Sequence, residues 1–122
     1  MRTEPHILFA DDNSDIRDLV QHVLQSAGFR VTTTDSGADV LQLVTTERFD
    51  ALLLDHWMPE ASGIELCRRI RAFDPGIPIL ICSGAVTQAD RDAAIQAGAQ
   101  GYVGKPFKSH DLIRLLRSAV HE

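Results

Sequence analysis

No stretch of this chain approaches the roughly eighteen consecutive apolar residues of a membrane-spanning helix, and its start carries no apolar signal region. Both absences argue against a membrane protein, and a cytoplasmic one is expected. Cysteine is scarce. Cys67 falls in a helical pattern and Cys82 in an apolar run, so neither belongs to a metal-ligand spacing and both are expected as reduced, packed thiols. Positive charge is also short: 12 lysines and arginines stand against 17 acidic residues, a net charge of -5. That balance weighs against direct nucleic-acid contact, where affinity rests on neutralising phosphates. Only Lys105 and Lys108 are lysines, so a lysine beside acidic residues is not a chance draw from a lysine-rich surface. No repeat, low-complexity segment or linker interrupts the 122 residues, and the expectation is one domain over 1–122.

Apolar and charged fractions of 44% and 24% are those of a globular chain. Short apolar runs bounded by turn residues read as buried parallel strands near 6–11, 29–34, 50–55, 78–82 and 101–104. The run Phe29 to Thr34 is the most polar and β-branched, as suits an edge. Helical patterns fill the gaps. Ile16, Leu19, Val20, Val23 and Leu24 make one stripe, opened by Asn13-Ser14 and stopped by Gly28. Val40, Leu41 and Val44 mark a second, after Asp35-Ser36, and Ile64, Cys67 and Ile70 a third, after Gly63. Residues 87–97 form a weakly apolar fourth, and Leu112 to Val120 the last. Strict strand–helix alternation means an α/β doubly wound sheet with right-handed crossovers.

In such sheets ligands bind outside the carboxyl ends of the strands. Asp11-Asp12, Asp55, Ser83 and Lys105-Pro106 all stand at strand ends, so one rim receives three carboxylates, a hydroxyl and a lysine. Like charges about 4 Å apart repel by roughly 4 kcal/mol at an effective dielectric of 20, so such a cluster needs a compensating cation. Oxygen-only donors suit Mg²⁺. A metal and a lysine beside a free carboxylate equip a site for phosphoryl transfer, with Asp55 as the candidate nucleophile. Ser83 and the backbone N–H groups of Gly84 and Ala85 could receive the phosphoryl oxygens. Each piece alone also suits a structural role. Asp11 or Asp12 could cap the following helix, and Asp55, Ser83-Gly84 and Lys105-Pro106 could be ordinary turn or loop residues. Their joint placement favours the site.

Four stretches carry a resemblance: Ala10-Asp11-Asp12; Asp55 to Pro59 with Gly63 beyond; Ser83-Gly84; and Gly98 to Phe107. In order and spacing together, over nearly the whole chain, they resemble the receiver domain of two-component response regulators. The resemblance implies a flavodoxin-like five-stranded parallel sheet in the order 2-1-3-4-5. It makes Asp55 the acceptor of a phosphoryl group from a histidine kinase or histidine phosphotransfer protein. It gives Asp11, Asp12, Asp55 and the backbone carbonyl of Trp57 as Mg²⁺ ligands, and Ser83, Lys105 and the backbone of Gly84 and Ala85 as phosphate partners. The Lys105–Pro106 bond is expected to be cis. Ser83 and Tyr102 would act as the switch, changing the face formed by the fourth helix, fifth strand and last helix toward an output protein or fused output domain. The domain would be a monomer or a phosphorylation-dependent dimer, catalysing only its own phosphorylation and dephosphorylation.

Trp57 is unusually large for its place. Its indole is expected to flank the phosphoryl group opposite Ala85 and shield it from water, unless it packs outward on a loop or partner. His56 is expected to face away from the site, since neighbouring strand residues alternate. His6, His22, His110 and His121 are expected to be solvated, and Arg68, Arg69 and Arg71 to form an exposed face. The competing functions are a haloacid-dehalogenase-type phosphohydrolase and a phosphate-independent scaffold. The first lacks its acid/base Asp, since Trp57 holds that position; the second is opposed by the intact acidic pair, Asp55, Ser83 and Lys105.

Overall fold

The computed structural model describes residues 4–84 and 87–120. Five strands alternate with five helices: β1 His6–Ala10, α1 Ser14–Ser26, β2 Arg30–Thr34, α2 Gly37–Thr46, β3 Ala51–Asp55, α3 Gly63–Arg71, β4 Ile79–Ser83, α4 Gln88–Gln96, β5 Gly101–Gly104 and α5 Ser109–Val120. All strands are parallel, in the order β2-β1-β3-β4-β5. The anticipated strand bounds hold to within one residue, and α5 begins three residues earlier than its apolar pattern. β1, β3 and β4 are buried throughout, as continuous apolar runs covered on both faces must be. β2 and β5 form the edges and are half open.

Alternation along the strands divides the core in two. Ile7, Phe9, Ala51, Leu53, Leu80 and Cys82 pack with Val20, Leu24, Leu112 and Leu116 from α1 and α5. Leu8, Ala10, Leu52, Leu54, Ile79, Ile81 and Tyr102 pack with residues of α2, α3 and α4. Both cysteines are free and buried. Helix α4 contributes least to this packing: within it only Ala94 is buried, and Ile95 is exposed.

Helix starts follow the local sequence. Side chains of Asn13, Ser36, Ser62 and Thr87 accept from the backbone N–H of Ile16, Asp39, Glu65 and Asp90. Asn13 thus caps α1, and neither Asp11 nor Asp12 serves that role. Gly28 and Gly98, with φ of 96° and 105°, turn the chain out of α1 and α4 in a conformation that other residues rarely adopt.

Two expectations fail. His6 is buried, not solvated. Its ring reaches the Arg48 carbonyl from Nδ1 at 3.2 Å and the Thr32 hydroxyl from Nε2 at 2.7 Å, and lies tilted against Phe49 with centroids 4.5 Å apart. With both ring nitrogens engaged across β1, β2 and the loop before β3, its polarity is no bar to burial. Arg71 does not join Arg68 and Arg69 on an open face. Its guanidinium donates to the carbonyls of Gly98 and Asp74 and to Gln100 Oε1, clamping the end of α3 to the turn after α4. His22 and His110 are exposed as expected, and His121 lies outside the described residues.

Candidate functional site

The rim above β1, β3 and β5 holds the charged cluster. Asp11 continues the alternation Ile7, Phe9, and Asp55 continues Ala51, Leu53, so both carboxylates rise from the same side of adjacent strands. Carboxylate oxygens of Asp11, Asp12 and Asp55 lie within 4.8 Å of one another. Lys105 reaches between the two buried members, its Nζ 2.6 Å from Asp11 Oδ2 and 2.9 Å from Asp55 Oδ1. Asp11 is sealed from solvent, Asp55 nearly so, and Asp12 is exposed.

Burial is the largest influence on Asp55 and raises its pKa. The Lys105 hydrogen bond pulls it down, the charges of Asp11 and Asp12 push it up, and the balance is upward. For Lys105, burial lowers the pKa, but hydrogen bonds to Asp11 and Asp55 outweigh it and the net shift is upward. One ammonium therefore offsets part of a carboxylate cluster that still carries excess negative charge. Such a rim attracts a further cation, and its donors are all oxygen, as Mg²⁺ requires.

Asp11 is held from every side. Its N–H donates to the Thr34 carbonyl at 3.1 Å, and its own carbonyl accepts from Arg17 Nη1 at 2.7 Å. Its Oδ1 accepts from the Asn13 N–H at 2.9 Å. Arg17 was not legible as a site residue, because its partner is a main-chain carbonyl and nothing in side-chain spacing marks that. Gly63 was visible only as part of a pattern, and the structure supplies the reason. A Cβ there would stand 2.5 Å from the carbonyl oxygen of Asp55. The loop after β3 therefore closes against the end of its own strand, tied by Gly63 N–H to the His56 carbonyl at 3.0 Å.

The other named residues divide between this cluster and the opposite face of the sheet. Ser83 ends β4, buried, and its carbonyl accepts from the Lys105 N–H at 2.8 Å, which sets the lysine beside β4. The Lys105–Pro106 peptide bond is cis. Gly84 is exposed, and Ala85 lies outside the described residues. Tyr102 is buried on the opposite face of the sheet from Val103, with Arg91 Cζ of α4 6.0 Å from its ring centroid. His56 follows Leu52 and Leu54 onto that same face, away from the carboxylates. Trp57 is 65% exposed and meets His56 edge to face, with ring centroids 4.2 Å apart. The loop passes through Glu60 at φ 81°, the one non-glycine residue with positive φ among those described, whose carboxylate accepts from the Ala38 N–H at the start of α2.

Comparison with known proteins bears on the fold and the family. A family profile described as the response regulator receiver domain matches residues 7–117. Response regulator MprA of Mycobacterium leprae is 34% identical over 112 residues, which cover 92% of this chain and 49% of that protein. The chain thus spans about half the length of such curated relatives. Among solved structures, the Vibrio cholerae chemotaxis protein CheY4 superposes with a TM-score of 0.91 and 29% identity, covering 96% of this chain and 99% of that one. The receiver domain of sensor histidine kinase PA1611 from Pseudomonas aeruginosa, with a magnesium ion coordinated in its active-site cleft, gives 0.90 and 31%, covering 98% and 100%.

Proposed function

The chain belongs to the response regulator receiver domain family, and from that membership we propose that Asp55 accepts a phosphoryl group in a two-component phosphorelay. One observation carries the assignment. Asp55 is the buried carboxylate that shares Lys105 with Asp11 while lying within reach of Asp12. A carboxylate so placed is largely desolvated and beside a cation, which suits it as a nucleophile.

In the transfer, an oxygen of Asp55 bonds to phosphorus as the nitrogen–phosphorus bond of a phosphohistidine breaks, and the imidazole leaves. Lys105, already bonded to Asp55, is placed to move onto an incoming phosphoryl oxygen. Ser83 and the backbone N–H groups of Gly84 and Ala85 take the remaining oxygens. Asp11, Asp12, Asp55 and the Trp57 carbonyl would hold Mg²⁺, which when bound supplies charge neutralisation for the phosphoryl oxygens. The fit rests on the three carboxylates, whose excess negative charge Lys105 does not cancel. The same groups serve slow hydrolysis of the acyl phosphate.

The donor is a histidine kinase or histidine phosphotransfer protein, and the setting is cytoplasmic. Phosphorylation acts through Ser83 and Tyr102 on the face of α4, β5 and α5, toward an output protein or fused output domain, as a monomer or a phosphorylation-dependent dimer. Over residues 1–122 we assign a single receiver domain.

Intact mass after incubation with acetyl phosphate and Mg²⁺ tests the reading. One added phosphoryl group is expected, lost in Asp55→Asn and in the presence of EDTA. Label that persists in Asp55→Asn would refute Asp55 as the acceptor.

A further inference from the structure

His56 occupies its place at a cost. It is 5% exposed, and its Nδ1 is buried without a hydrogen-bond partner among the described residues. A buried polar atom left unpaired costs about 1–3 kcal/mol, so an apolar side chain would be the more stable occupant. The imidazole is therefore not explained by stability, and its contacts suggest what else it does.

Those contacts form a row across three elements. Trp57, two residues beyond Asp55, meets the His56 ring edge to face at 4.2 Å. On its other side His56 faces Tyr102 of β5, with ring centroids 6.2 Å apart. Tyr102 in turn lies 6.0 Å from the guanidinium carbon of Arg91 on α4. The 6.2 Å separation falls in the range where aromatic pairs interact beyond simple burial, and the 4.2 Å contact is closer still. The row begins at an exposed indole two residues beyond Asp55 and ends on the helix with the least apolar anchorage.

We propose that His56 is a positioning residue that couples the indole of Trp57 to Tyr102, and thereby joins the rim beside Asp55 to helix α4. As a route for phosphorylation, it rests on the phosphoacceptor reading of Asp55. The loop carrying Trp57 starts at Asp55 and is closed by Gly63 against the Asp55 carbonyl, so a group added at Asp55 acts on that loop first. With no directional bond at Nδ1, the imidazole is held by its ring faces and follows whichever neighbour moves.

Trp57 is the only tryptophan, so acrylamide quenching of the full chain reports its surroundings. In unphosphorylated protein, Tyr102→Leu is expected to change the quenching constant of Trp57 about twofold, the scale of coupling between residues in contact. His56→Phe keeps a ring without nitrogens; it should preserve this response and raise the melting temperature. His56→Leu, with His56→Met as a second ring-free variant, should abolish the response. An equal response in the ring-free variants, or none in the wild type, overturns the coupling. A parallel arm labels each protein with acetyl phosphate and checks the label by intact mass. Phosphorylation should change Trp57 quenching, and Tyr102→Leu should alter that change only where position 56 carries a ring. Failure of the wild type to take up label would count against the phosphoacceptor reading, while the unlabelled comparison would still decide the coupling.

Discussion

Asp11 and His56 each stand just past the end of a central strand, and both are nearly sealed from water. Their surroundings differ in kind. Every polar atom of Asp11 is bonded: N–H to Thr34, carbonyl to Arg17, and the two carboxylate oxygens to Asn13 and Lys105. His56 has its backbone bonded, to the Cys82 carbonyl and the Gly63 N–H, while its Nδ1 has no partner among the described residues and its ring rests on two other rings. Directional bonds from four segments fix the acidic side before any ligand arrives, as preorganised charge stabilisation requires. Ring contacts hold the His56 imidazole without a directional bond at Nδ1. Bonds fix the carboxylate, whereas packing against rings places the imidazole.

The sharpest way to break the fixed side is Gly63→Ala. The added methyl would meet the Asp55 carbonyl at 2.5 Å, so the loop must shift. A stability loss of about 3 kcal/mol is expected, the upper end for overpacking, read from urea denaturation together with loss of acetyl phosphate labelling. Next comes Lys105→Met, which leaves two buried carboxylates without their shared cation. Removing one partner of a fully buried pair costs roughly 3–5 kcal/mol. Because the lysine is 16% exposed and Asp55 can take up a proton, about 2 kcal/mol is expected here by chemical denaturation.

Asp55→Asn should act in the opposite direction on stability. The folded pKa of Asp55 is raised above its ordinary value, chiefly by burial. A raised carboxylate favours folding below its unfolded pKa, and that contribution is lost as pH rises through the folded value. The ionised form of the group is therefore a cost to the fold. Replacing it with Asn should raise stability at pH 7 by about 1 kcal/mol, on the order of one discounted like-charge contact. The gain should shrink on acidification toward the ordinary carboxylate range, as thermal melts across pH would show. The smallest effect on stability belongs to Trp57→Ser, within about 0.5 kcal/mol for a largely exposed side chain. Its consequence should be kinetic: if the indole shields the acyl phosphate, the label decays several-fold faster in the variant, and an unchanged decay rate removes that role.

Much of this was legible beforehand, because some chemistry is written in periodicity. Three buried strands are continuous apolar runs, so their number, length and parallel pairing could be read from the chain. The polar run Arg30–Thr34 had to lie at an edge. The caps at Asn13 and Ser36 and the stop at Gly28 are local choices with local causes. The candidate site was legible for the same reason, as each of its side chains ends a strand. What could not be read depends on partners distant in the chain. His6 looked like a terminal, solvated histidine until Thr32 and Arg48 came to either side of it. Arg71 shared a helix with two exposed arginines, and its separate role exists only because the turn at Gly98 arrives within reach. Arg17 serves a main-chain carbonyl, which leaves no trace in residue spacing, and the spacing that marked Gly63 did not show that it closes on the Asp55 carbonyl.

The sequence by itself determined the alternation of strand and helix, the two-faced core and the delivery of three carboxylates and a lysine to strand ends, since all of these follow from side-chain period and turn chemistry. Only the tertiary structure decided which of those groups touch. Lys105 is 94 positions from Asp11, yet the parallel register of β1, β3, β4 and β5 brings its ammonium between two buried carboxylates. The same register left the neighbouring His56 on the other face, among rings. A two-residue period assigns each side chain to a face, but the distance between faces, and the bond that closes across it, exists only once the strands are laid side by side.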